Sequence, residues 1–149
     1  RFYRLTFDPN GAGQLESYQR EHAPGLSIEE LLRRAEHFLA DGTERDGHGA
    51  AVLELLERIA SSQHALLKNA AGTTTVRRIA ATGGGARSPL LLQLQADHLR
   101  TPIVTMACAE SACLGAALFA GVAAGWFRDC AAAGAEMVHP SREYRHRKN

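Results

Sequence analysis

Cysteine is scarce and unpaired in this chain of 149 residues: Cys108, Cys113 and Cys130 are odd in number and form no C-x-x-C pair. That pattern excludes a disulfide framework and a cysteine zinc site, and it makes a reducing cytoplasm the expected setting. The seven histidines show neither H-E-x-x-H nor another ligand spacing, so no metal-binding residue is expected. Charge of one sign is missing too. Seventeen Lys and Arg face sixteen Asp and Glu, a net charge of +1, and no nucleic-acid partner is expected. The one basic cluster, Arg142, Arg145, His146, Arg147 and Lys148, lies at the extreme C-terminus and reads as a solvated tail. No signal-peptide pattern is present, and no apolar run reaches the ~20 residues of a membrane span. The most apolar stretch, Ala112 to Phe127, carries Gly121-x-x-x-Gly125 between Glu110 and Arg128. It reads as a buried helix of a soluble protein.

What is present is ordinary in bulk and specific in detail. A hydrophobic fraction of 45% and a charged fraction of 22% suit one globular domain with a hydrophobic core. Residues 1–26 show no sustained period; Phe2 to Phe7 could form a strand before the turn signal Asp8-Pro9-Asn10-Gly11. Ser27 and Glu30 then spell a capping box, and Ile28, Leu31, Leu32, Ala35, Phe38 and Leu39 share one helix face up to Asp41-Gly42. A second helix is expected over about Ala50 to Ala70, with Val52, Leu55, Leu56, Ile59, Leu66 and Leu67 as its buried stripe and Gly72 as a left-handed stop.

Val76 to Ala81 reads as a strand, and Ser88 with Pro89 opens a third helix. Thr101-Pro102 leads into a second strand, Ile103 to Met106. An alanine- and glycine-rich helix is expected from Glu110 to about Ala124, and a shorter one within Arg128 to Val138. The alternation predicts an α/β layered fold with a small, partly parallel sheet. Its body covers 27–138, after an irregular 1–26 and before a basic tail at 139–149. Two clear strands are few for an independent core, so the chain reads as part of a larger α/β unit.

Between the first clear strand and the third helix stand three glycines, Gly83, Gly84 and Gly85. Without Cβ atoms the backbone there can approach a ligand, and the following helix points its partial positive end at the same place. A phosphate or an adenine edge suits the turn, with the Ser88 hydroxyl at hand; a tight strand-to-helix connection without a ligand suits it equally well. The spelling excludes two nucleotide motifs. No lysine follows as a Walker A loop requires, and the last position of the G-x-G-x-x-G frame begun at Gly83 is Ser88.

The run Thr82-Gly83-Gly84-Gly85-Ala86-Arg87-Ser88-Pro89-Leu90, followed by Gln93-Leu94-Gln95-Ala96-Asp97, resembles the adenosine-binding segment of the FGGY carbohydrate kinases, the xylulokinase and glycerol kinase type. Thr101-Pro102-Ile103-Val104 is similar to the family's next strand, and Glu110 to Gly121 fits its E-x-x-x-x-G-A-A-x-x-A-G helix. The resemblance is specific across about Val76 to Val138. It departs at Leu53 to Ala60, which lacks the family's Arg-Ala pair and glycine.

The resemblance implies a ribonuclease-H-like domain of the actin, hexokinase and Hsp70 type, and transfer of the γ-phosphoryl group of Mg2+-ATP to a sugar or polyol hydroxyl. By matching position, Gly83, Gly84, Gly85, Ala86 and Ser88 would face the nucleotide, Gly84 foremost. Glu110 and Gly115 match as helix start and close packing. The family's aspartate base, sugar contacts and phosphate-binding hairpins have no counterpart in this sequence, so no catalytic residue is expected here, and Asp97 is expected to solvate or cap. The expected partners are an adenine nucleotide and, through the missing part, a sugar or polyol. A homo-oligomer stays open. The competing reading is a non-catalytic interaction or regulatory module that retains the actin-like ATPase fold.

Overall fold

The computed structural model describes residues 11, 13–44 and 46–147; the strand candidate Phe2 to Phe7 lies outside them. The order of elements is α1 (Gly13–His22), α2 (Ile28–Asp41), α3 (His48–Ala71), β1 (Ile79–Ala81), a 3₁₀ turn (Gly84–Arg87), α4 (Pro89–Leu99), β2 (Ile103–Met106), α5 (Ser111–Ala123), α6 (Cys130–Met137) and β3 (Pro140–Tyr144).

Local chemistry explains most of the boundaries. Ser27 Oγ accepts the Glu30 N–H at 3.1 Å and starts α2. Only half of the capping box forms, because the Glu30 carboxylate turns to the guanidinium groups of Arg33 and Arg34. These bonds, Arg33 first, hold the Glu30 carboxyl down to about 2. Gly42, at φ 71°, ψ 9°, closes α2 in the left-handed region, and its N–H reaches the Phe38 carbonyl at 2.8 Å. Gly72 also has positive φ, 59°, but its ψ of −117° lies outside the left-handed helical cap expected there.

The main core lies between α2, α3 and α4. Leu31, Ala35, Val52, Leu56 and Ile59 are at most 1% exposed, and each large one removed from water contributes about 1.5–3 kcal/mol. Helix α4 carries three consecutive leucines because it is buried on two sides. Leu90, Leu91 and Leu94 join the α2–α3 core, while Leu92 and Ala96 pack with Ile103 and Tyr144 under the sheet. Leu66 and Leu67, expected in the buried stripe, are only half-buried.

The sheet has the order β1-β2-β3. β1 runs parallel to β2, with Ile79 opposite Ile103, and the crossover between them is α4. β2 pairs antiparallel with β3, Ile103 opposite Tyr144. One extra residue on β3 makes a bulge between Val104 and Met106, where the Thr105 hydroxyl accepts the Arg142 N–H at 3.1 Å.

Further expectations are corrected. Part of the segment expected to be irregular over 1–26 is helix α1, fixed by buried Leu15 and by a 2.9 Å hydrogen bond between the Tyr18 hydroxyl and His48 Nδ1. The solvated basic tail over 139–149 contains β3, and beyond it Arg147 grips Asp97 through its N–H at 2.8 Å and its guanidinium at 2.6 Å. Asp97 therefore anchors the chain's end. The apolar stretch Ala112 to Phe127 is not buried: only Gly121 of α5 is, and Phe119 and Trp126 are 69% and 80% exposed, because no described element covers that face. Close packing also falls elsewhere than on Gly115, where a Cβ would meet nothing within 4 Å; at Gly121 it would lie 2.8 Å from the Phe127 ring.

Candidate nucleotide site

The strands β1 and β2 end at the same level, so the loops that follow their carboxyl ends are neighbours. In α/β sheets that is where ligands bind. The first loop is Thr82 and the glycine turn. The second runs from Ala107 to Glu110. Three contacts join them: the Gly83 N–H donates to the Ala109 carbonyl at 3.2 Å, the Ser111 hydroxyl lies 3.4 Å from that of Thr82, and Arg87 Nη2 donates to Glu110 Oε1 at 2.7 Å. Glu110 stands at the start of α5, as expected, but makes no side-chain cap; its carboxylate serves the Arg87 pair instead.

Gly83 and Gly84 have different constraints. Gly83, at φ 80°, ψ −166°, occupies a region that only glycine enters without strain. Gly84 begins the 3₁₀ turn, and a Cβ there would meet nothing within 4 Å. The Ala86 N–H closes the turn onto the Gly83 carbonyl at 3.1 Å. Ser88 is 7% exposed, and its Oγ accepts the Leu91 N–H at 3.2 Å to cap α4. Its hydroxyl acts here as an acceptor, and a hydroxyl can donate as well.

The turn opens into a cavity of about 830 Å³ between α1, α2, α3 and the start of α4. Gly84, Gly85 and Ser88 line it; Gly83 and Ala86 do not. Its apolar walls are Leu15, Ile28, Leu32, Leu56, Ile59 and Leu91, and its charged rim is Glu16, Glu29, Arg33, Glu36 and Arg87. The volume falls in the range of pockets that take drug-sized ligands, about 300–1,000 Å³.

Sequence reasoning missed the walls from α1 and α2 and the Arg87–Glu110 pair. Ile28 and Leu32 were legible as a helix stripe, but a stripe reports apolar faces, not whether protein or ligand will cover them. Nothing in the spacing pairs residues 87 and 110. Among the described residues no three His, Cys, Asp or Glu side chains gather in a metal-binding group, and no helix is long and apolar enough to cross a membrane.

A small mixed sheet, a glycine turn at its carboxyl edge and helices flanking the crevice suit an α/β fold of the actin and hexokinase type. The ligand-bound xylulose kinase of Lactobacillus acidophilus matches this chain with a TM-score of 0.74 at 20% identity, over 93% of this chain and 34% of its own. The gluconate kinase of the same organism gives 0.70 at 20% identity, over 91% and 34%. In sequence, a glycerol kinase of Dechloromonas aromatica is 38% identical over 100 residues, 66% of this chain and 20% of that protein. Residues 4–124 match the C-terminal domain of the FGGY family of carbohydrate kinases, and the chain belongs to that family. It spans about a fifth of the length of that glycerol kinase and a third of the two structural neighbours.

Proposed function

We propose that this chain is part of the C-terminal nucleotide-binding domain of a carbohydrate kinase and forms the ATP-side wall of its cleft. The observation that carries the proposal is the glycine turn opening onto the apolar cavity. A flat aromatic base suits the walls of Leu15, Leu32, Leu56 and Leu91, and the open space beside Gly84 lets a ribose or phosphate approach the backbone. Gly84, Gly85 and Ser88 are the contacts proposed for the nucleotide, while Gly83 and Ala86 shape the turn.

ATP supplies the phosphoryl group; the chain's own residues bind and orient. The N–H groups of Gly84 and Gly85 lie in the first turn of a helical segment, where amides have no intrahelical acceptor and favour negative charge. The leucine walls exclude water around the base. The donor set does not fit a magnesium ion held by this chain alone, since among the described residues no three His, Cys, Asp or Glu side chains gather in a metal-binding group. In this reading the metal, the catalytic base and the sugar or polyol pocket belong to parts of the full-length protein outside these 149 residues, and the protein works in the cytoplasm. The relatives' names span a polyol, a ketose and a sugar acid, so the proposal extends to the substrate class and no further.

The test is ADP release by the full-length protein supplied with Mg2+-ATP and a panel of polyols, ketoses and aldonic acids. Release with at least one acceptor supports the kinase reading. Absence of turnover on every acceptor favours the non-catalytic module, and absence of nucleotide binding as well contradicts the ATP-side reading.

A further inference from the structure

The charges around the cavity are sorted by side. Glu16, Glu29 and Glu36 stand on the α1–α2 wall, where Arg33 is already held by Glu30 at 2.8 Å. Among the described residues Arg87, on the glycine turn, is the only basic lining residue on the opposite side, and its guanidinium rests on Glu110. A nucleotide whose base enters the leucine pocket is repelled from the acidic wall, so its phosphates turn toward the glycine turn and Arg87.

From this arrangement, and resting on the nucleotide reading above, we infer that Arg87 is a phosphate-contacting residue whose guanidinium exchanges Glu110 for the polyphosphate when nucleotide binds. The exchange is favourable because the resident pair is weak. Its side chains are 68% and 64% exposed, and exposed pairs contribute at most about 1 kcal/mol. A triphosphate carries several negative charges and presents oxygens that match the planar guanidinium fork. Glu110 then acts against binding twice, by occupying Arg87 and by repelling the phosphates. Arg87 makes affinity depend on the number of phosphates more steeply than the turn amides alone would, and Glu110 opposes that dependence.

The experiment is calorimetric titration of the full-length protein with adenosine, AMP, ADP and ATP, for wild type, Arg87→Ala, Arg87→Gln and Glu110→Gln. Circular dichroism establishes that each variant is folded. Arg87→Ala and Arg87→Gln are expected to weaken ATP by about fivefold or more and Glu110→Gln to tighten it by a similar factor, with adenosine unchanged within about twofold. Steeper salt dependence for ATP in wild type than in Arg87→Ala is expected too. If wild type binds adenosine and ATP while the variants shift both ligands equally, or neither, Arg87 is not the phosphate contact and the nucleotide reading survives. If wild type binds none of the four ligands, both are overturned.

Discussion

Gly83 and Gly84 are chain neighbours for which alanine has opposite expected consequences. Gly83 sits at φ 80°, ψ −166°, where a Cβ clashes with its own backbone whatever space surrounds it. Gly83→Ala must either hold that strain or rotate out of it. Rotation breaks the Gly83 N–H bond to Ala109 and the Ala86 bond to the Gly83 carbonyl, at 3.2 and 3.1 Å. Strain of this kind costs about 1–3 kcal/mol, with each neutral hydrogen bond adding about 1 kcal/mol if lost. Gly84→Ala meets none of this, because its Cβ would point into open space and alanine is at ease in a helical turn. Its stability should stay within about 0.5 kcal/mol of wild type. Its methyl group, however, stands where the ligand must approach, so ATP affinity should fall by about tenfold, a change of about 1.4 kcal/mol. Urea unfolding followed by circular dichroism reads the first effect and calorimetric titration with ATP reads the second. A Gly83→Ala protein as stable as wild type would refute the strain argument. Undiminished ATP binding by a folded Gly84→Ala protein would refute the placement of nucleotide against the turn.

Two further expectations concern stability alone. Gly49→Ala places a Cβ 2.8 Å from the Arg34 carbonyl oxygen, a backbone atom that cannot step aside, so α2 and α3 must separate; overpacking of this kind costs about 1–3 kcal/mol in chemical denaturation. At Asp97 partial burial pushes the carboxyl up, but the Arg147 N–H, the Arg147 guanidinium and Gln93 more than offset it, and the group lies below the ordinary 3.8. A depressed carboxyl stabilises the fold above its unfolded value and loses that contribution as pH falls through its folded value, so the docking of the chain end should weaken below about pH 4. Asp41, Asp46, Asp129 and Glu30 are lowered too and act in the same direction, so the measurement is the difference between wild type and Asp97→Asn. The gap in urea midpoint should be open at pH 6 and narrow progressively as pH falls below about 4; a gap independent of pH would show that the Asp97–Arg147 contact does not act through charge.

Elements whose chemistry is local were legible in the sequence. Ser27, Gly42, Ser88 and Pro89 act on neighbours within four residues, so α2 and α4 begin, and α2 ends, where the residues say. The glycine turn was legible for the same reason. Features that depend on distant partners were not. Helix α1 buries a single leucine and shows no stripe, yet Tyr18 fixes it to His48 thirty residues on. β3 reads Pro-Ser-Arg-Glu-Tyr with only Tyr144 buried, so it carries no apolar alternation and owes its existence to β2. Helix α5 misled in the other direction, since an apolar sequence predicts burial but cannot supply the surface that buries it. For the candidate site, Gly83, Gly84, Gly85, Ala86 and Ser88 were readable as a turn that a ligand could approach. Its leucine walls and the Arg87–Glu110 pair exist only after four helices and two loops have come together.

The proposed site can be tested in place by titrating the isotopically labelled full-length protein with ATP and following backbone amide shifts by NMR. Nucleotide in the α1–α2–α4 cavity predicts saturable shifts at Gly84, Gly85, Arg87 and Ser88, together with Leu15 and Leu32 across the cavity, while β3 and α6 stay still. Saturable shifts confined to other surfaces, or none at millimolar ATP, would contradict the assignment of this glycine turn as a nucleotide-binding wall.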